Sequence, residues 1–406
     1  MFFIAVLISF FTGQLYLISI LIIARDIAGE RMADMADALV LVTSFLPALL
    51  LTPIAGHIVD RFDRKRILII SKACDAVITL TFLTSSAQLN LWFFLTLNTL
   101  TTIFFVFFIV TTNSLIPSIY KNDEFPAVNV LINVTRAFML ILGALGGGFL
   151  ADRIAHDLLF FVCACLHALT AILLAWVRIR QSTTDSEQQP KHARTNFPLD
   201  AFAQGLAYLK QDTYILLLIA ARTVMNIGAG LRLLYIAMAE EVLRLGDHGL
   251  GLFAAARGVG FFIGPFAAAR MGSAATAKHH ALITGGLASL GIGFGLLGVL
   301  GGHNIWLSGA TIILAFAGSA CVKTISITLI HRAAHNEFLG RVLALDTGLG
   351  ALAEILATLL LGFILGPRTV IPATVVSGIL LVAAAIAWNR FADRHFRLPT
   401  PPARDN

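Results

Sequence analysis

Residues 53–66 read Pro53-Ile54-Ala55-Gly56-His57-Ile58-Val59-Asp60-Arg61-Phe62-Asp63-Arg64-Lys65-Arg66. Six of the last seven side chains are charged, yet apolar runs frame the stretch, at about 38–59 before it and 67–86 after it. About 20 apolar residues in a helix cross the ~30 Å hydrocarbon core of a bilayer. A short basic segment between two such runs therefore reads as a loop, fixed on the side of the membrane where Lys and Arg collect.

The same alternation extends in both directions. Of 406 residues, 58% are apolar and 13% charged, against roughly 25% charged in a soluble domain, which excludes a water-soluble globule. The net charge of +6 comes from basic residues scattered between apolar runs. They form no continuous basic face, so no nucleic-acid partner is expected. Met1 to Ala24 is uncharged, with neither a basic leader nor a small-residue cleavage site, and reads as a retained first helix rather than a signal peptide. Further runs at about 91–118, 129–151 and 157–177 bring the count to six, and six more follow at about 213–237, 249–269, 281–300, 304–330, 341–365 and 370–388. The sequence thus predicts an all-α membrane protein of twelve transmembrane helices in two six-helix halves.

Between the halves, Arg178 to Pro198 is polar and charged, with two prolines and no apolar period, and cannot pack a core. The expected organisation is an N-terminal half at 1–177, a linker at 178–200, a C-terminal half at 201–390 and a tail at 391–406. Lys and Arg gather beyond the even-numbered helices, at Arg61, Arg64, Lys65 and Arg66, at Arg178, Arg180, Lys191 and Arg194, and at Arg390, Arg394, Arg397 and Arg404. The opposite loops hold chiefly Arg25, Arg31, Arg153, Arg244 and Arg368. Linker, tail and both termini are therefore expected in the cytoplasm. A repeat at an offset of 214 residues aligns Asn122 with Asn336, Asp123 with Glu337 and Gly148 with Gly362, as a duplicated half requires.

The opening stretch resembles the major facilitator signature G-x-x-x-D-R-x-x-R-[KR], through Gly56, Asp60, Arg61, Arg64 and Lys65. The resemblance implies the major facilitator fold, alternating access and a substrate cavity between the halves near the midplane. It also implies a gating role for Gly56, Asp60, Arg61 and Arg64. Gly56 permits close helix approach, and Asp60 at a helix end pairs with a cationic loop or helix when that side closes. Lys65 and Arg66 are read as topology charges. The counterpart in the second half, Gly264 to Lys278, lacks the acidic residue.

More narrowly, Gly13-Gln14-Leu15-Tyr16, Arg25-Asp26, Asn129 and Gly340-Arg341-Val342 resemble the macrolide-efflux and enterobactin-exporter branch, which adds Arg341 to the gating residues. Where exporters show Gly-Pro on helix 5, this chain has Gly143-Ala144-Leu145-Gly146-Gly147-Gly148. The branch implies an exporter of siderophores or amphipathic drug-like compounds working by proton antiport, and the protein is expected to be a monomer in the bacterial inner membrane. Its partners would be a small-molecule substrate, protons and the lipid bilayer.

Charges within the spans are the sharpest clues, because each costs about 2.5–3.5 kcal/mol on insertion scales and needs a partner, a cavity or a function. Asn129, Asn133, Arg136 and Gly143 share one face of helix 5. Arg136 either contacts substrate or fixes helix 5 to a neighbour. Arg222 and Asn226 stand one turn apart on helix 7, and Arg257 lies near the middle of helix 8. Guanidiniums beside a cavity suit an anionic substrate; alternatively Arg222 or Arg257 neutralises Glu354 or Asp75. Gln14 on helix 1 either bonds substrate or bridges helices. Asp346, Gly350 and Glu354 form one stripe on helix 11, and Glu354, near the midplane, is the expected proton site with Asp346 beside it. Release of a carboxylate from a guanidinium favours its protonation, which would couple proton uptake to substrate displacement. Asp75 reads as a local pair with Lys72, His167 as a satisfied core histidine, and Arg232 and Lys323 as cations near the interfaces that snorkel.

Cys74, Cys163, Cys165 and Cys321 all lie in apolar segments without zinc-type spacing, so neither disulfide nor metal is expected. No Walker motif, dinucleotide fingerprint or HExxH appears, and no cofactor is expected. The first rival reading is an importer, or a lysophospholipid transporter, of the same fold. The second is a polytopic membrane enzyme, which would need a nucleophile or His/Asp pair near an interface that the sequence does not present.

Overall fold

The computed structural model describes residues 1–29, 32–84, 90–119, 125–151, 153–177, 212–271, 276–334 and 336–395. Within the helices, several side chains lie outside that description, among them Asp60, Asn129, Asn133 and Arg394. The predicted linker at 178–200, the repeat residues Asn122 and Asp123, and most of the tail also lie outside it.

Among the described residues the chain is helical throughout, with no strand. The helices are α1 (Phe2–Ala28), α2 (Ala33–Arg61), α3 (Arg64–Thr81), α4 (Leu91–Ile119), α5 (Phe125–Ala151) and α6 (His156–Trp176). After the undescribed stretch come α7 (Thr213–Gly230, continued by Arg232–Ala237 and a π turn, Met238–Val242), α8 (Gly246–Met271), α9 (Thr276–Leu300), α10 (Ile305–Ala333), α11 (Asn336–Ile364) and α12 (Val370–His395). Eleven described stretches are long and apolar enough to cross a membrane. The twelfth, α3, carries Arg64, Lys65 and Arg66 in its first turn and Lys72 and Asp75 in its middle. It avoids the cost of those two central charges by pairing them, Lys72 Nζ to Asp75 Oδ2 at 2.8 Å, both side chains fully buried. The Lys72 ammonium also lies over the Phe108 ring, 4.3 Å from its centroid.

The first six helices pack in one pattern and the last six repeat it. α2 packs on α4, α3 on α6 and α4, and α1 on α5 and α6; six helices later, α8 packs on α10, α9 on α12 and α10, and α7 on α11 and α12. The two sets meet chiefly along α2 against α11 and α5 against α8. Glycines make those seams close. A Cβ on Gly148 of α5 would lie 2.9 Å from the Asp247 carbonyl and from Gly251 Cα of α8, and one on Gly362 of α11 would strike Ala38 of α2. Gly148 and Gly362 are the residues the repeat aligned, so the duplication appears as two equivalent helix crossings. Gly143 approaches Gln14 and the Phe11 carbonyl of α1 in the same manner.

One face carries Arg61, Arg64, Lys65 and Arg66 at the α2–α3 junction, Arg332 at the end of α10 and Arg341 in the first turns of α11, and is called the basic face below. There Asp63 caps α3, accepting from the backbone N–H of Lys65 at 2.8 Å. Arg64 Nη1 donates to the Ser114 carbonyl of α4 at 3.2 Å and Lys65 Nζ to the Ala175 carbonyl of α6 at 2.7 Å. Deeper in the first six, Tyr16 donates to Asn98 Oδ1 at 3.4 Å, and the Asn98 amide donates to the Val40 carbonyl and Thr43 Oγ1, tying α1, α2 and α4.

Candidate substrate and coupling site

The first cluster of charges lies about 15 Å of helical rise from the basic face. Arg222 is the tenth residue of α7, Asp346 the eleventh of α11 and Arg136 the twelfth of α5, while Lys323 is the eleventh from the end of α10. Arg222 donates through Nε to Asp346 Oδ1 at 2.6 Å and through Nη1 to the Lys323 carbonyl at 3.1 Å. Both charges of this pair are buried, so the pair locks α7, α10 and α11 together. Arg136 donates through Nη2 to the neutral Asn113 Oδ1 of α4 at 3.2 Å and stacks over the Phe10 ring of α1 at 4.7 Å. The Lys323 side chain is exposed, has no ion-pair partner among the described residues, and feels the charges of Arg222, Arg136 and Asp346. This corrects its sequence reading: Lys323 stands eleven residues inside α10, among the charges of α5, α7 and α11, and is no interfacial cation.

The second cluster lies farther from the basic face. Arg232, in the continuation of α7, pairs through Nη2 with Glu354 Oε1 of α11, donates through Nε to the Ala229 carbonyl at 3.2 Å and lies over the Phe45 ring of α2 at 4.6 Å. Arg232 is 7% exposed and does not snorkel. The sequence placed it near a helix end because the apolar run stops at about residue 237, whereas the helix continues through Val242. Arg257 of α8 is buried, its Nε has no partner, and its charge is felt by Arg232. The partner of Glu354 is therefore Arg232, and neither Arg222 nor Arg257. Between the clusters, Asn226 packs against Gly350, and the α7 backbone at Gly230 approaches the Glu354 carbonyl.

At the face opposite the basic one, Arg25 at the end of α1 pairs with Asp37 Oδ2 at 2.6 Å and lies 3.9 Å from Asp34 Oδ1. Glu240 and Glu241 of α7 approach the same guanidinium, and Glu241 also lies close to Asp34. This cluster joins α1 and α2 to α7 where Gly362 meets α2 and Gly148 meets α8.

Not every residue singled out in the sequence joins these clusters. Asn133 lies on α5 and Asp60 on α2, with side chains outside the described residues. Gln14 is half-buried against Gly143, in the helix-bridging position. Arg61 is exposed at the end of α2, Arg64 ties α3 to α4, and Arg341 stacks on Phe338 at 5.3 Å. Gly56 departs from expectation: among the described residues a Cβ there would meet nothing within 4 Å, so it makes no close helix contact with them. Asp75 pairs with Lys72, as its spacing suggests. His167 is buried, but neither ring nitrogen has a partner among the described residues, so it is not the satisfied histidine expected. No cluster of described His, Cys, Asp and Glu residues has the makings of a metal site. Sequence reading missed Asn113 and underrated Lys323 and Arg232; a deep polar residue on α4, the counterpart of α10 in the repeat, was the available signal for Asn113.

The profile of the Major Facilitator Superfamily matches residues 2–358. No curated protein matches the sequence. Among solved structures, a bacterial homolog of the human lysosomal transporter Spinster, inward-facing and unoccupied, is similar, with a TM-score of 0.65 at 12% identity over 96% of each chain. The nucleoside transporter NupG, in a mutant form, is similar with a TM-score of 0.65 at 12% identity, over 93% of this chain and 99% of that one. At such identities the likeness is one of fold.

Proposed function

Since the chain belongs to the Major Facilitator Superfamily, and is thus a multi-pass transporter and not an enzyme, we propose that it exports a small organic anion, of siderophore or amphipathic drug-like type, from a bacterial cytoplasm by proton antiport. The carrying observation is the charge balance of the first cluster, where Arg136, Arg222 and Lys323 converge at one depth and Asp346 is the only described carboxylate beside them. Surplus guanidinium and ammonium charge bordering a gap favours anions and repels cations.

In this reading residues 1–177 and 201–390 form two halves joined by a cytoplasmic linker at 178–200, and they rock about the α2–α11 and α5–α8 seams. The basic face is cytoplasmic and the protein works as a monomer. Substrate enters from the basic face and engages Arg136, with Gln14, Asn133, Arg222, Asn226 and Arg257 along its route. Glu354 exchanges Arg232 for a proton as the halves move, and Asp346 acts with it through Arg222. Gly56, Asp60, Arg61, Arg64 and Arg341 act at the gate on the basic face.

The test is transport in inverted membrane vesicles with and without a proton gradient, offering a catecholate siderophore, a lipophilic cationic dye and lysophospholipid, for wild type and Glu354→Gln. Gradient-driven siderophore uptake, lost in Glu354→Gln, supports the reading. Uptake of the dye or of lysophospholipid instead, or indifference to the gradient, overturns it.

A further inference from the structure

We infer that the substrate carries two separate acidic groups, one bound by Arg136 from the first six helices and the other by Lys323 from the last six, and that Lys323 sets the preference for dianions. The inference rests on the anion reading above and narrows it.

Arg222 is not available to a ligand in the way the other two cations are. Its Nε is engaged by Asp346 at 2.6 Å and its Nη1 by a carbonyl at 3.1 Å, and its side chain is buried. Arg136, by contrast, is held among the described residues only by the neutral Asn113 and the face of Phe10, and its Nε has no partner among them. Lys323 has neither an ion pair nor a side-chain hydrogen bond among the described residues, and its side chain is exposed although it stands mid-helix. Once the Arg222–Asp346 pair is set aside, two positive charges remain at this depth among the described residues, Arg136 on α5 and Lys323 on α10, near enough for each to feel the other.

Uncompensated charge in the membrane interior is unfavourable, and two like charges near one another there add repulsion. A monoanion neutralises one cation and leaves the other. A ligand with two acidic groups neutralises both and draws α5 toward α10, so the loaded cavity can close where the empty one resists. The Arg136 fork accepts a carboxylate through two donors, whereas the Lys323 ammonium is a mobile point charge that accommodates acidic groups of varied geometry.

The experiment uses the purified full-length chain in lipid nanodiscs and reads its thermal-unfolding midpoint against rising concentrations of isophthalate, benzoate, the neutral isophthalamide and the cation tetraphenylphosphonium. Wild type should show half-saturation by isophthalate at about tenfold lower concentration than by benzoate. Lys323→Gln should erase that ratio while leaving benzoate within about twofold of wild type, and Lys323→Arg should keep the ratio. An equal response of wild type to the two acids, a ratio unchanged in Lys323→Gln, or no response to isophthalate overturns the inference. Equal response to both acids leaves the anion reading standing, whereas stabilisation by the cation or the amide alone removes that reading as well.

Discussion

Arg232 and Glu354, which stand 122 positions apart, form a buried ion pair between the continuation of α7 and α11, with a third charge, Arg257, close by. The pair lies beyond the Arg222–Asp346 pair as seen from the basic face, so α7 and α11 are joined twice, at two depths. Removing one member of a buried pair leaves the other without its counter-charge. Arg232→Gln should therefore lower stability by about 3–5 kcal/mol, seen as a lower unfolding midpoint in nanodiscs. The double variant Arg232→Gln/Glu354→Gln should recover much of the loss.

Arg222 satisfies two acceptors at once, a carboxylate through Nε and a backbone carbonyl through Nη1. A lysine has one head group and cannot reproduce both from one rotamer. Arg222→Lys should cost about 1–3 kcal/mol. Asp346→Asn should cost more, because it leaves the guanidinium without any carboxylate. Ranking the unfolding midpoints of the two variants checks the order.

Arg25 is the described cation between Asp34 and Asp37, both of which are buried. Arg25→Ala leaves carboxylates of α2 and α7 facing one another and should open the face opposite the basic one. A cysteine placed at Ala38, which is 0% exposed, should then be alkylated faster than in the same background with Arg25 intact. Unchanged alkylation would show that the cluster does not hold that face shut.

Gly148 and Gly56 make a matched pair of tests. At Gly148 an added Cβ would press on the α8 backbone at 2.9 Å, whereas at Gly56 it would meet open space. Gly148→Ala should cost about 1–3 kcal/mol through overpacking and shift the protein toward the state open at that seam. Gly56→Ala should raise the unfolding midpoint slightly, since Ala is the better helix former by about 0.5–1 kcal/mol, and any cost it has should appear only in the transport rate. Unfolding midpoints and vesicle uptake, measured side by side, separate the two effects.

The chain's linear pattern determined much of this protein. Twelve apolar runs gave the helices, because a bilayer admits no other backbone pairing for segments of that length and composition. The repeat at 214 residues located Gly148 and Gly362, which then proved to sit at equivalent crossings. The Lys72–Asp75 pair was legible because its partners are three residues apart on one helix, a distance that the helical period fixes. The basic junction of Asp63, Arg64 and Lys65 was legible because charged residues between two apolar runs gather outside the hydrocarbon.

Tertiary structure alone decided which deep charges meet and which remain available. Arg222 finds Asp346 across 124 positions and Arg232 finds Glu354 across 122. Periodicity gives the face a residue occupies on its own helix, but it cannot give the rotation and depth of one helix against another. For the same reason Lys323 and Arg232 looked like interfacial residues when counted from the nearest end of an apolar run. In the folded chain one lies among the charges of α5, α7 and α11 and the other is clamped against a carboxylate. Membership of a helix was written in the local sequence, and membership of a site was set by packing between helices far apart in it.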